Sequence, residues 1–165
     1  MTEDLTQPKA QHLLTTATVC HLAYNGADGL PRAVPVGFLW SGGAVVICTA
    51  TTAPKVRALS ARPDVAITID GGDTPATAQS VLLRGRATLE TVEGIPEEYL
   101  TAATKAMAGA TLAGFESAVR QMYPRMVRIT IAPTWARFFD YGGGRIPAFL
   151  AELAEKSMAA PGEAS

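Results

Sequence analysis

The chain has 165 residues, of which 48% are apolar and 18% charged, and a formal net charge of −1. That length fits one domain with its own core, and the near-neutral balance excludes the polybasic face of a general nucleic-acid binder. Two cysteines exclude a disulfide scaffold, and no window approaches the roughly 18 apolar residues of a membrane-spanning helix.

From the N-terminus, Pro8 to Ala17 predicts a short leading helix. Thr18 to Tyr24 is β-branched and aromatic, and it ends in Asn-Gly-Ala-Asp-Gly, a turn signal that joins it to a second strand, Pro31 to Trp40. Pro31 and Pro35 each remove a ladder donor, so that strand is expected at an edge or bulged. Ser41-Gly42-Gly43 turns it into a third strand, Ala44 to Ala50. Pro54 to Ala61 reads as a helix with proline in its first position, stopped by Arg62-Pro63. Strands follow at Asp64 to Asp70 and, after a polar loop, at Ser80 to Thr91, where apolar and polar residues alternate. Pro96 to Met122 predicts two helices broken near Gly109 to Gly114, with Tyr99, Leu100, Ala103 and Met107 at helical spacing in the first. Arg125 to Ala132 and Thr134 to Tyr141 supply the sixth and seventh strands, and Pro147 to Lys156 a last helix.

Seven short strands in mostly hairpin order, with small helices between them, indicate a mainly β fold with peripheral helices, closed as an antiparallel barrel or sandwich. Residues 1–157 form one domain on this reading, and 158–165 a disordered tail. The low charge content, against roughly 25% in ordinary soluble domains, favours apolar surface covered by a second copy, so a homodimer is expected. The N-terminal Met-Thr-Glu-Asp-Leu-Thr lacks the cationic flank and apolar run of a signal peptide. With two cysteines inside apolar strand patterns, a reducing cytoplasm is the expected compartment and no membrane association is anticipated.

No side-chain constellation announces catalysis. There is no Gly-x-Ser-x-Gly elbow, and His12 and His21 stand apart on the leading helix and first strand. Two histidines and two cysteines lack the paired spacing of a metal site, so no metal is expected. Gly142-Gly143-Gly144 opens no clear helix, so the dinucleotide fingerprint is absent. Any reaction would then be carried by a cofactor. The best place for one is the helix start after the third strand, where Thr49, Thr51, Thr52, Lys55 and Arg57 cluster. Thr51 or Thr52 could cap the helix, leaving free N–H groups and the Lys55 ammonium to meet an anion. Arg57 lies roughly 200° around the helix from Lys55, so both cannot point straight at one phosphate. An ordinary capped helix with solvated cations fits the same residues. Arg32 shares a strand face with Val34, Val36 and Phe38 and needs an acidic partner, either a nearby Asp or a ligand.

Arg-Ala-Val-Pro-Val at Arg32 to Val36, the Gly-Gly hairpin, and Thr-Ala-Thr-Thr-Ala-Pro-Lys-Val-Arg-Ala-Leu followed by Arg-Pro-Asp-Val-Ala resemble the pyridoxamine 5′-phosphate oxidase-like split-barrel family. Within it they resemble the flavin/deazaflavin oxidoreductase branch, and Pro133 to Tyr141 looks like the closing strand of such domains. The resemblance covers about Leu13 to Tyr141 and implies a split barrel of six or seven mostly antiparallel strands. It implies a homodimer with two FMN or coenzyme F420 molecules at the interface and hydride transfer to or from a small organic substrate. On that basis Arg32, Ala33, Val34, Pro35 and Val36 would line the ring through backbone groups, and Thr49, Thr51, Lys55 and Arg57 would hold the phosphate. Arg84, Arg86 and Trp135 would reach the cofactor from the partner subunit. His21, Tyr24 and Tyr141 are the available proton donors. The sequence departs from true pyridoxamine-phosphate oxidases at Ala53-Pro54-Lys55, where they carry Ser-Arg-Lys, and it lacks their basic cluster near the C-terminus. Both departures point away from vitamin B6 as substrate. Two other classes compete with the enzyme: a module that stores flavin, deazaflavin or haem without turnover, and a cofactor-free dimeric interaction protein.

Overall fold

Period-two alternation places one side of each strand against a common interior and leaves the other outside. In the computed structural model, which describes residues 2–159, seven strands result. They are β1 (Val19–Asn25), β2 (Pro31–Gly37), β3 (Leu39–Ser41), β4 (Ala44–Ala50), β5 (Asp64–Gly71), β6 (Gln79–Glu93) and β7 (Arg125–Asp140). All pair antiparallel in one sheet of order β2-β1-β5-β6-β7-β4-β3. The two end strands of that order, β2 and β3, are separated in sequence by Phe38 alone. The sheet must therefore curl until its ends meet, with Phe38 fully buried at the join. The product is a barrel split along the free edge of β2.

Leu22, Ile67 and Leu83 stand opposite one another on β1, β5 and β6 and fill the barrel with Val45, Ile47 and Ile129. Each such side chain, fully buried, contributes about 1.5–3 kcal/mol. Helix α1 (Pro8–Thr16) buries Ala10, Leu13 and Leu14, and α2 (Pro54–Ala61) buries Ala58 and Leu59. Helices α3 (Glu97–Thr104) and α4 (Gly109–Met122) form the β6–β7 connection, and α5 (Ala148–Ala159) follows β7.

Four expected boundaries move. The strand expected over Pro31 to Trp40 breaks at Phe38, because a side chain turned fully inward at the barrel corner cannot stay on either ladder. The expected sixth and seventh strands are one strand, β7. Pro133 is tolerated there because the ladder slips opposite Gly85, leaving Thr134 as the extra residue of a bulge. A Cβ on Gly85 would sit 2.6 Å from the Ala132 carbonyl oxygen, so this close crossing needs glycine. The break between the two connecting helices falls at residues 105–108, and Gly109, at φ +56°, starts α4. At the C-terminus α5 runs through Met158, where the tail was expected to begin; residues 160–165 lie outside the described residues.

Candidate functional site

A cavity of about 330 Å³ opens at the split in the barrel. Val36 and Gly37 at the end of β2 and Val46, Cys48 and Thr49 of β4 line one side. Tyr99, Ala102 and Ala103 of α3, Met107 of the link and Phe115 of α4 line the other. The Tyr99 and Phe115 rings stack with centroids 5.8 Å apart, giving that wall a flat aromatic element. Lys55 enters from α2.

Lys55 is placed by the turn between β4 and α2. The Ala53 N–H donates to the Ala50 carbonyl at 3.0 Å, and Pro54 takes the first helical position. Ala53 is therefore the N-cap, and no side chain caps the helix. The cap expected from Thr51 or Thr52 is not made, because both threonines are used up in the turn. The Lys55 ammonium is half-buried, with the Thr49 hydroxyl as its hydrogen-bond acceptor at 3.4 Å. Among the described residues no carboxylate pairs with it, and burial lowers its pKa. A partly desolvated cation with no counter-ion, at an uncapped helix start, favours an anion in the cavity. Val36, Thr49 and Lys55 are thus brought together.

The free edge of β2 supplies a second set of polar groups. The Gly26 N–H donates to Leu30 at 2.8 Å and the register runs Tyr24 to Arg32, Leu22 to Val34 and Cys20 to Val36. In an antiparallel ladder this parity makes the even-numbered residues exchange hydrogen bonds with β1. Pro31, Ala33, Pro35 and Gly37 then direct their backbone groups outward. The two prolines delete two donors, so the edge offers N–H groups at Ala33 and Gly37 and the carbonyls of Ala33, Pro35 and Gly37, while the Pro31 carbonyl accepts from the Arg32 guanidinium at 3.2 Å.

Other expected site residues lie elsewhere within the chain. The Arg32 guanidinium donates to the Asp28 carboxylate at 2.6 Å, which lowers the Asp28 pKa, and borders a separate hollow of about 250 Å³ with Tyr24, Pro54 and Ala58. Its acidic partner is thus found, but in a solvent-exposed pair rather than a buried one. Val34 packs on the core, while Ala33 and Pro35 are exposed. Thr51 is half-buried in the turn outside the cavity lining, and Arg57 is exposed on α2. Arg84 lies 4.1 Å above the Trp135 ring on the outer face of the sheet, and Arg86 pairs with Asp64 at 3.2 Å. His21 is exposed, 4.0 Å from Asp70, and Tyr141 is exposed just beyond β7.

The residues that sequence reasoning passed over are the α3–α4 wall and Cys48. The helical spacing of Tyr99, Ala103 and Met107 reads as a core face, yet all three are only half-buried, because the cavity takes the place of the core. Burial raises the Tyr99 hydroxyl pKa and pushes the Cys48 thiol up to about 11, so both stay protonated near neutrality. Cys20 lies fully buried in the core, its pKa pushed by burial up to about 12. Among the described residues no cluster of three or more His, Cys, Asp or Glu side chains could hold a metal. No described helix is long and apolar enough to cross a membrane.

A family model described as pyridoxamine 5′-phosphate oxidase matches residues 6–137. In structure, 98% of the chain aligns with 97% of a conserved hypothetical protein from Mycobacterium tuberculosis, at 20% identity and a TM-score of 0.66. An F420 reductase aligns over 77% of this chain and 94% of its own, at 23% identity and a TM-score of 0.58. The haem storage protein HutZ from Vibrio cholerae aligns over 81% and 93%, at 16% identity and a TM-score of 0.57. At these identities the likeness establishes the fold. No curated protein matches the chain in sequence.

Proposed function

The chain belongs to the pyridoxamine 5′-phosphate oxidase family, and from that premise we propose that it binds a flavin-type cofactor, FMN or the deazaflavin F420, for hydride transfer with a small organic substrate. The observation that carries this reading is Lys55, a half-buried cation beside a hydroxyl and an uncapped helix start, without a carboxylate partner among the described residues. Lys55 and Thr49 would hold the phosphate. The cavity volume of about 330 Å³ falls in the range of small-molecule sites, roughly 300–1,000 Å³. When bound, such a cofactor supplies the hydride-carrying ring.

The chain's own contribution is binding and environment. Lys55 gives the anion a charge-assisted contact. The Ala33 and Gly37 N–H groups on the β2 edge offer fixed donors to the polar rim of a flat ring. Val36, Val46 and the Tyr99–Phe115 stack exclude water from one face. Cys48 and Tyr99 remain protonated and add no competing anion. Arg84 and Trp135 lie outside the cavity of their own chain, which fits a homodimer in which they face the partner's site. Light scattering at micromolar concentration should then give twice the chain mass, and a monomer would remove them from the site. The free thiols of Cys20 and Cys48 suit a reducing, cytoplasmic setting.

Storage without turnover is the second reading. It is favoured by the fact that Glu98, the carboxylate lining the cavity, is tied to Arg128 and so is not free to move a proton to or from a bound molecule. The absorption spectrum of freshly purified protein, followed by addition of FMN or F420 and a reductant, separates the readings. A bound flavin or deazaflavin that is reduced and then reoxidised by an added organic acceptor supports the enzyme. A bound chromophore that no acceptor reoxidises supports storage.

A further inference from the structure

Helix α3 forms much of the cavity wall, yet none of its residues is buried. It rests on β3 and β4 without the apolar anchoring that fixes α1 and α2. Two polar contacts hold it instead, one at each end. At its start, Arg128 stands on β7 opposite Cys48 and donates from Nη2 to Glu98 at 3.1 Å, while its buried Nε lies 3.1 Å from the other carboxylate oxygen as an ion-pair contact without hydrogen-bond alignment. At its finish, the Lys105 ammonium donates to the Ala17 carbonyl at 2.7 Å and lies 4.0 Å above the Phe38 ring. Glu98 and Lys105 are seven residues apart, about 10.5 Å along a helix axis. Between them lie Tyr99, Ala102 and Ala103, which face the cavity.

We propose that Glu98 with Arg128, and Lys105 with the Ala17 carbonyl over Phe38, form a two-point clamp that sets the height of α3 above the sheet and governs release of whatever occupies the cavity. Glu98 and Lys105 are positioning residues: they act through the wall. The Arg128–Glu98 side chains are 26% and 27% exposed, so this pair is shielded enough to hold a helix that burial does not. Arg128 also pairs with Glu90 at 2.9 Å, but Glu90 is 67% exposed and belongs to β6, so it steadies the arginine and leaves α3 untouched. This asymmetry makes Glu98→Ala a clean variant, since Arg128 keeps a counter-ion when Glu98 is lost.

The release arm of the test rests on the cofactor reading above; the exchange arm does not. With FMN as the probe, Glu98→Ala and Lys105→Met should each speed dissociation about 5- to 20-fold in stopped flow. In the ligand-free chain both should raise amide hydrogen exchange over residues 98–107 about tenfold, with the β-ladder amides and the denaturation midpoint unchanged. Glu98→Asp should restore part of the effect, and Glu90→Ala should change neither readout. Unchanged exchange over 98–107 in Glu98→Ala overturns the clamp, as does an equal effect of Glu90→Ala. A uniform rise in exchange across the barrel also overturns it, because that marks general loss of stability. If the wild-type chain binds neither FMN nor F420, the cofactor reading fails, and the exchange arm still decides the clamp.

Discussion

Leu22, Ile67 and Leu83 face one another inside the barrel with at most 1% of their surface exposed, whereas α3 buries no residue and α4 buries only Val119. The first region is fixed by apolar burial, which is non-directional and tolerates no gap. The second is fixed by an ion pair, a lysine–carbonyl hydrogen bond and a ring stack, and it encloses empty volume. The contrast separates two jobs. The barrel holds β2, β4 and α2 at a constant spacing, and the wall can yield without unfolding it.

The largest expected effect tests the barrel side. Ile67→Ala should cost about 2–5 kcal/mol in denaturant unfolding, whereas Met107→Ala in the wall should cost about 1 kcal/mol or less. Equal losses would break the contrast. On the cavity side, Lys55→Ala should weaken FMN or F420 binding by about 1.5–3 kcal/mol, with the denaturation midpoint held, as measured by fluorescence titration. Gly85→Ala should cost about 1–3 kcal/mol, because the new methyl meets the Ala132 carbonyl at the bulge; a neutral result in thermal unfolding would show that the crossing can open.

The smallest effect is in pH. Burial lowers the Lys55 pKa below the ordinary 10.5, so in the alkaline window below 10.5 the unfolded chain holds more protons than the folded one. From this group, folding stability rises with pH across that window. Affinity for an anion moves the other way and falls as pH climbs through the lowered pKa. Lys55→Arg should keep affinity flat over the same range in a pH series of titrations, since a guanidinium stays charged.

Much of the barrel is legible in the residues themselves. The alternation in β6, the Gly42-Gly43 turn at φ +58° and +77°, and the edge marked by Pro31 and Pro35 all appear where local pattern and turn chemistry place them. The break at Phe38 and the continuity of β7 through Pro133 are not legible, because both depend on barrel closure, a long-range fact that no local window carries. Within the site, Lys55 and Thr49 can be paired from their six-residue spacing across a strand–turn–helix. Arg32 cannot be placed that way, since Asp28, one hairpin turn earlier, competes for it. The wall is hidden for a different reason. A helix face lining a cavity has the same spacing as one lining a core, and only the half-burial of Tyr99, Met107 and Phe115 tells them apart.

The most direct test of the anion cradle is a titration of ligand-free wild-type and Lys55→Ala chains with FMN and with F420, followed by fluorescence at neutral pH. Saturable binding of one cofactor per wild-type chain, weakened roughly 10- to 150-fold in Lys55→Ala, is the result expected from a charge-assisted phosphate contact. Equal affinity in the two chains, or no binding of either cofactor to the wild type, would contradict it.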